Sequence, residues 1–522
     1  MPAPRLTADR NWVLALLLAL VAGVSQADTP LLWVQNGHLT SQAQQVLDAL
    51  RHVEDFGLAS QDFSAFLAAI DSESANAAGP VRLDQLMSAA ALQLINQLHY
   101  GRVDPGAAGY ALTRKRTPLD GEAALRQLAA APRVLEVLAT FEPRPPQYRA
   151  LERMLARYRL IRTDLTSLPM PGSAAITSGD SYEGAEKLRW LLAEFGDASA
   201  PRDKPGAESI YDADLAAAVA RFQQRHGLEA DGVLGARTFA ALTVPVPQRI
   251  RQIELTMERW RWLPDINPPA VIVNVPQYML YALPDPSIAA AGVGALKIPV
   301  IVGKTVRQTP VFDSAIESVV FRPYWDVPDS IVREELLPTI ARDRGYLERN
   351  DMEIVRGDGN DAQALESGAE SIAALRAGRA RLRQRPGPNN ALGLIKFVLP
   401  NPFSVYLHST PEAQLFARER RAFSHGCIRV SDPSALAAYL LKDTPGDWNA
   451  DKIEATTCLE TTLTVRLATP VPVFILYGTV VIDSDGAALF FDDVYGYDRR
   501  LDALLSAAAR PLPFLPLTGL RM

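Results

Sequence analysis

The sequence predicts a multidomain α+β protein: a helical scaffold, a compact three-helix unit, and a mostly β domain with a helical or loop insertion. Three observations carry that expectation. Apolar residues recur at helical spacing from about Leu31 to Leu168. A second helical block, at 181–245, follows the Gly- and Ser-containing stretch PMPGSAAITSGDS. After RQIELTMERWRWLP the apolar period changes from helical to two.

Each element has its own warrant. Arg5 and Arg10 precede an apolar run of thirteen residues, Trp12 to Val24, short of the roughly 20 that a spanning helix needs. Ser25 and Ala27 supply small residues before a cleavage point after Ala27. The reading is a signal peptide over 1–27, and the alternative is an uncleaved inner-membrane anchor. The scaffold, 28–180, contains SQAQQVLDALRHV, with Ser41 as candidate cap and Val46, Leu47 and Leu50 at helical spacing. LDQLMSAAALQLINQLHYG stops at Gly101, and PRPPQYRALERMLARYRLI repeats the helical pattern. His38, His52 and His99 are scattered through it without a ligand cluster.

In 181–245, Leu188, Leu191, Leu192 and Phe195 form one apolar stripe closed by Gly196. Leu215, Val219 and Phe222 form another, closed by Gly227, and Asp231-Gly232 is a turn before a third short helix. The β domain, 250–490, opens on AVIVNVPQYMLYAL, where Val271, Val273 and Val275 alternate. LKIPVIVGK, SAIESVVFRPYWDVP, NPFSVYLH and PVPVFILYGTVVID continue the strand pattern. The polar, helix-compatible segment at about 338–395 reads as a cap insertion, and 491–522 as a C-terminal tail.

Composition narrows the function classes. A net charge of −6 supplies no basic footprint for nucleic acid. Hydrophobic residues make up 48% and charged residues 21%, as in a globular protein with a real core. Two cysteines in 522 residues are too few for a disulfide-built exported scaffold. They suggest one thiol kept for chemistry, or a single ordinary bridge.

The chemistry concentrates in YLHSTPEAQLFARERRAFSHGCIRVSDP, Tyr406 to Pro433, with His408, His425 and Cys427. A thiol is a nucleophile only as thiolate, so it needs a nearby base or positive charge. His408 ends one strand and Cys427 starts another, and pairing of the two would bring imidazole and thiol within reach. Gly426 lets the backbone approach a substrate and leaves amide N–H groups for an oxyanion hole. Tyr324 and Trp325 read either as groove-lining or as core aromatics, and the Arg418, Arg420 and Arg421 run as a solvated loop face. A zinc site at His408, His425 and Cys427 lacks a clear fourth ligand. Cys458, past the helix begun by Asp432 and Pro433, is expected to be unpaired, largely buried and dispensable.

Two stretches resemble known families. Phe222, Gln223, Gly227, Leu228, Asp231, Gly232, Gly235 and Thr238 match the run FQ-x-x-x-G-L-x-x-D-G-x-x-G-x-x-T of the three-helix peptidoglycan-binding domain. HSTPEAQLFARERRAFSHGCIRV resembles the signature of the L,D-transpeptidase catalytic domain through His408, Ser424, His425, Gly426, Cys427 and Arg429. VIVGKTVRQTPVF, FRPYWDVP and GLIKFVLPN are similar to the long exported members. The resemblance implies a periplasmic, carbapenem-sensitive acyltransferase of peptidoglycan, with Cys427 as nucleophile and His408 as base. It implies 3→3 cross-links between stem peptides, release of D-Ala, no cofactor or metal, and partners in cell-wall synthesis. Ser409 stands where many members have Gly, and its carbonyl or hydroxyl is expected to orient His408. His425 either lines the oxyanion hole or is structural. Arg429, Ser424, Tyr324 and Trp325 are the expected substrate-side residues. The acceptor stays open among a second stem, water, a protein and a D-amino acid, and a catalytically silent wall-binding scaffold is the remaining alternative.

Overall fold

The computed structural model describes residues 30–75, 79–172, 175–199, 209–286, 294–343, 345–359 and 361–508. The expected signal peptide, 1–27, lies outside the described residues. Among the described residues no helix is long and apolar enough to cross a membrane.

The chain divides into two compact units, and the division does not follow the scaffold boundary expected at 180. The first comprises Ser60–Ile95, Leu119–Ala139 and the chain up to His52. Its helix Ser41–Arg51 is capped one residue earlier than expected. The Thr40 hydroxyl, not Ser41, accepts the Ala43 N–H at 3.1 Å, while Val46, Leu47 and Leu50 are buried.

The rest of the helical region belongs to the second unit. Leu151 and Leu155 of helix Pro146–Leu160 share one hydrophobic cluster with Ile253 and Met257 of helix Val246–Arg261. The same cluster takes in Leu188, Leu192 and Phe222 of the three-helix unit. Periodicity shows that a helix buries a face; it does not say against which partner. In that unit the buried Gln223 amide donates to Asp231 Oδ1 at 2.8 Å and Thr238 Oγ1 at 3.0 Å, and its oxygen accepts the Gly232 N–H at 2.8 Å. Gly232 has φ +69° and lies so near Ala216 that a Cβ would come within 2.8 Å of its carbonyl.

The β domain closes a sheet on itself. Its strands are β1 (Ala270–Asn274), β2 (Met279–Leu283), β3 (Leu296–Gly303), β4 (Val311–Phe321), β5 (Ile395–Val398), β6 (Leu407–His408), β7 (Ala422–Ser424), β8 (Ile428–Val430) and β9 (Leu463–Leu476). The order runs β5-β6-β8-β3-β2-β1-β9-β4, and β4 pairs back with β5. Val271, Val273, Leu280, Ile298, Val300, Ile316, Leu407, Ile428 and Ile475 fill the interior, each at most 1% exposed. Tyr110–Ala111, expected within the helical scaffold, adds a strand parallel to β4.

The insertion between β4 and β5 also departs from expectation. It begins near residue 322 rather than 338, and it is mixed α/β rather than purely helical or loop. Trp325–Asp326, Arg381–Gln384, Met352–Arg356 and Gln363–Ala364 form an antiparallel sheet. Val332, Ile340, Leu347, Ile354 and Leu382 give it a core of its own. These strands are short and polar on one face, so their alternation hides among charged residues. After β9, a hairpin of β10 (Val480–Ile482) and β11 (Ala488–Phe490) packs into the helical cluster, not the barrel. Within the expected tail, Tyr497–Ala508 is a helix whose Asp498 pairs with Arg259 at 2.5 Å.

A buried ion pair inside the three-helix unit holds a guanidinium that also reaches that hairpin. Arg225 donates from Nε to Asp197 Oδ1 at 2.7 Å and from the same guanidinium to the Ala488 carbonyl. Removing one partner of a buried pair strands the other charge, at a cost of about 3–5 kcal/mol. Asp197→Ala is therefore expected to lower unfolding free energy by that amount, measured by denaturant titration. A loss under about 1 kcal/mol would show that the pair does not hold the unit.

Candidate active site

Three neighbouring strands meet at the site. In the antiparallel β5–β6 pair Lys396 lies opposite His408, and in the parallel β6–β8 pair His408 lies beside Arg429. The same parallel register sets Leu407 beside Ile428, so Tyr406 falls beside Cys427 one residue earlier. Side chains alternate between faces along a strand. Tyr406, His408, Cys427 and Arg429 therefore share one face, while Leu407 and Ile428, both fully buried, point into the barrel. Lys396 reaches the same group, with its ammonium 4.1 Å from the Tyr406 ring centroid.

His408 is 5% exposed, and its Nδ1 donates to the Ser409 carbonyl at 2.6 Å. That bond assigns the proton to Nδ1 and leaves Nε2 as the basic nitrogen. The ring is oriented by the carbonyl rather than the hydroxyl. Ser409 Oγ instead donates to the Leu392 carbonyl at 3.0 Å and accepts the Leu394 and Ile395 N–H groups at 2.7 and 3.0 Å. A Cβ on Gly393 would come within 2.2 Å of that hydroxyl. Burial first, then the Arg429 and Lys396 charges, push the His408 pKa down to about 3.

The Cys427 thiol is pushed up by burial, against which Tyr406, Lys396 and Arg429 all pull down. Its Sγ lies 3.8 Å from the Ser404 carbonyl. The resting pair is thus a neutral thiol and a neutral imidazole, with two cations set to favour a thiolate once the proton leaves. Burial also pulls the Lys396 ammonium down and drives the Tyr406 phenol well above its ordinary value. Tyr406 and Lys396 were not singled out in the sequence. The signal was there: Tyr406 is two residues before His408 in YLH, hence on the same face of the strand.

The loop before Cys427 is built from hydrogen bonds. Ser424, 3% exposed, donates to the Cys427 carbonyl at 2.5 Å and accepts the Gly426 N–H at 3.1 Å. The Ser424 hydroxyl, expected on the substrate side, is therefore committed to the loop before Cys427 as both donor and acceptor. The Gly426 N–H is likewise committed rather than free for an oxyanion. The Thr309 hydroxyl donates to the Gly426 carbonyl at 2.8 Å and accepts the Gly303 N–H at 2.9 Å. Gly426 has φ +116°, a conformation that an L side chain resists.

The remaining expected residues spread outward. His425 donates from Nε2 to Glu335 of the insertion at 2.8 Å. Glu335 sits in a wide π turn, Val332–Leu336, and its neighbour Glu334 pairs with Arg307. Arg429 pairs with Glu412. Trp325 lies close enough to pull the Tyr406 phenol down against its burial, whereas Tyr324 lies under the Arg383 guanidinium, 4.2 Å from ring centroid to Cζ. Both aromatics belong to the insertion rather than to the barrel sheet. Among the described residues no three His, Cys, Asp or Glu side chains gather as a metal site would need. Cys427 and Cys458 are both free thiols, and Cys458 is exposed rather than buried, because it caps the end of helix Ala450–Thr457 at the surface.

Residues 268–470 match the family model described as "L,D-transpeptidase catalytic domain". That region of the chain is similar to the catalytic domain of L,D-transpeptidases. Ahead of it, residues 25–155 match a "Scaffold domain" and residues 181–242 a "Putative peptidoglycan binding domain". A protein of Haemophilus influenzae named "Putative L,D-transpeptidase" is 32% identical over 252 residues, 48% of this chain and 49% of the relative. The chain thus spans about half the length of that relative. The matched L,D-transpeptidase region holds β1 to β8 and every residue of the Lys396–His408–Arg429 row.

Two outcomes follow from the electrostatics. Lys396→Met removes one of the cations that lower the Cys427 pKa, so the midpoint of iodoacetamide alkylation against pH should rise, with less thiolate at neutral pH. An unmoved midpoint would show that Lys396 does not act on the thiol. Because His408 stays neutral above about 3, acylation of Cys427 by a carbapenem should be flat across mildly acidic and neutral pH, then rise as the thiol ionises. An acid limb centred near the ordinary histidine value, about 6.5, would contradict a neutral, buried His408.

Proposed function

We propose that this chain is a cysteine-dependent L,D-transpeptidase of peptidoglycan that forms 3→3 cross-links between stem peptides. The observation that carries the reading is the shared face of Cys427 and His408, with the imidazole tautomer assigned by the Ser409 carbonyl. The family match over 268–470 supplies the reaction class.

In the proposed cycle the Cys427 thiol gives its proton to His408 Nε2, and the thiolate attacks the carbonyl of the third stem residue, the L-centre of meso-diaminopimelate. Lys396 and Arg429 offset the negative charge that moves onto the substrate oxygen. The amide bond breaks, and the departing D-Ala amine takes the proton back from His408. A thioester remains. The side-chain amine of a second stem attacks that thioester and loses its proton to His408; the C–S bond breaks, and the imidazolium returns the proton to the departing sulfur. The Cys427 N–H, which donates to no described group, is the backbone donor offered to the oxyanion. Water in place of the amine would make a carboxypeptidase of the same site. The basic leader ahead of Trp12–Val24 supports a location outside the inner membrane, where this substrate lies.

The deciding experiment is muropeptide analysis after incubation with tetrapeptide-bearing wall fragments: 3→3 dimers are expected, and tripeptides alone would indicate hydrolysis. Cys427→Ala should abolish both the acyl-enzyme and the dimers while leaving the fold intact. His408→Ala should lower the rate by about 10²–10⁴-fold, and His425→Ala by less, because His425 turns toward Glu335. The reverse ranking would reassign the base.

A further inference from the structure

A cavity of about 730 Å3 lies away from Cys427, between the three-helix unit, helix Val246–Arg261 and the loop that precedes β7. That is ample for part of a small peptide or sugar. Its charges do not balance. Arg237 is neutralised by Glu419, and Arg251 by Asp502 at 2.7 Å. Asp498 is committed to Arg259, whereas Asp493 accepts the neutral Tyr477 hydroxyl at 2.7 Å and keeps its charge. Among the described residues neither Arg249 nor Arg421 forms an ion pair, although the Asp492 charge acts on Arg249 from a distance.

Arg249 is 8% exposed and forms no ion pair among the described residues. It donates to the Gln252 side-chain oxygen at 3.0 Å and the Ala241 carbonyl at 3.1 Å, and its guanidinium lies 4.5 Å from the Phe490 ring centroid. Burial pulls its pKa down to about 10, with Asp492 among the groups that resist, so it stays charged at neutral pH. Arg421 donates only to carbonyls, those of Val300 at 3.3 Å and of Arg418 and Tyr278 at 3.1 Å. Over the whole lining six arginines face five carboxylates, Asp492 and Asp493 among them. A buried guanidinium without a counter-charge is costly to maintain. A fork of donors in that position fits a carboxylate.

We propose that this cavity is a second binding site that takes a carboxylate of a peptidoglycan peptide, anchored by Arg249 and Arg421. The assignment rests on the reading of the chain as a wall enzyme. The cavity wall includes His226, Leu228 and Ala240 from the region matching a peptidoglycan-binding model. Arg421 immediately precedes β7, whose last residue, Ser424, holds the Cys427 carbonyl. An occupant would therefore sit on the segment that carries the nucleophile and hold a wall strand beside it.

The test is calorimetric titration of the full chain, carrying Cys427→Ala to prevent turnover, with a soluble disaccharide–tetrapeptide. A parallel titration uses the same fragment with its carboxylates amidated. Arg249→Gln and Arg421→Gln should each weaken binding of the acid fragment about tenfold to a hundredfold. Arg421→Lys should retain part of it, and the amidated fragment should bind weakly to all forms. Should Arg249→Gln fail to fold, Arg421→Gln decides alone. Unchanged affinity in the Gln variants, or equal affinity for the amidated fragment, overturns the site. Binding needs no turnover, so absence of a carbapenem adduct on the wild-type thiol would count against the proposed reaction and not against the cavity.

Discussion

The site depends on a parallel pairing of two very short strands, in which Leu407 lies beside Ile428 and His408 beside Arg429. A slip of one residue would turn His408 into the barrel and expose Leu407 in its place. That slip is resisted because Leu407 and Ile428 are both fully buried in the apolar interior. The hydrophobic core thus sets the register, and the register sets the chemistry. The Ser409 carbonyl adds orientation to position by holding Nδ1.

The electrostatics combine opposing demands. Burial favours the neutral forms of both Cys427 and His408, so neither carries charge at rest. Lys396 and Arg429 flank the row, and both favour a thiolate over an imidazolium. The same two cations that ease loss of the thiol proton discourage its storage on His408, which suits the proposed role of that residue as a base that passes a proton on. Arg429 is itself paired with Glu412, so part of its field is offset locally.

The insertion reaches this centre through adjacent glutamates on one wide turn. Glu334 pairs with Arg307 in the turn after β3, and Glu335 binds His425 just before Cys427. Turns of this kind often occur at functional positions, because they splay side chains that a regular helix would stack. The His425 side chain is 30% exposed and faces the insertion. It is a tether between the insertion and the catalytic loop.

Much of this was legible in the amino-acid order. The change of period from 3.6 to 2, the glycine-closed helices and the association of His408 with SHGC are local patterns, and local patterns report local geometry. The fold class followed from them, as did the expectation that strand pairing sets Cys427 near His408. Other features depended on which surfaces met. Helix Pro146–Leu160 shares a core with Val246–Arg261, Tyr110–Ala111 joins the β4 edge, and the 480–490 hairpin leaves the barrel for the helical cluster. Periodicity marks a buried face without naming its partner. Ser424 illustrates the limit best: beside a catalytic thiol it reads as a substrate contact, yet its hydroxyl is spent on the Cys427 carbonyl and the Gly426 N–H. Hydrogen-bond capacity is allocated only when the chain has closed on itself. The sequence therefore determined which groups could react, and the tertiary structure decided which of them were free to do so.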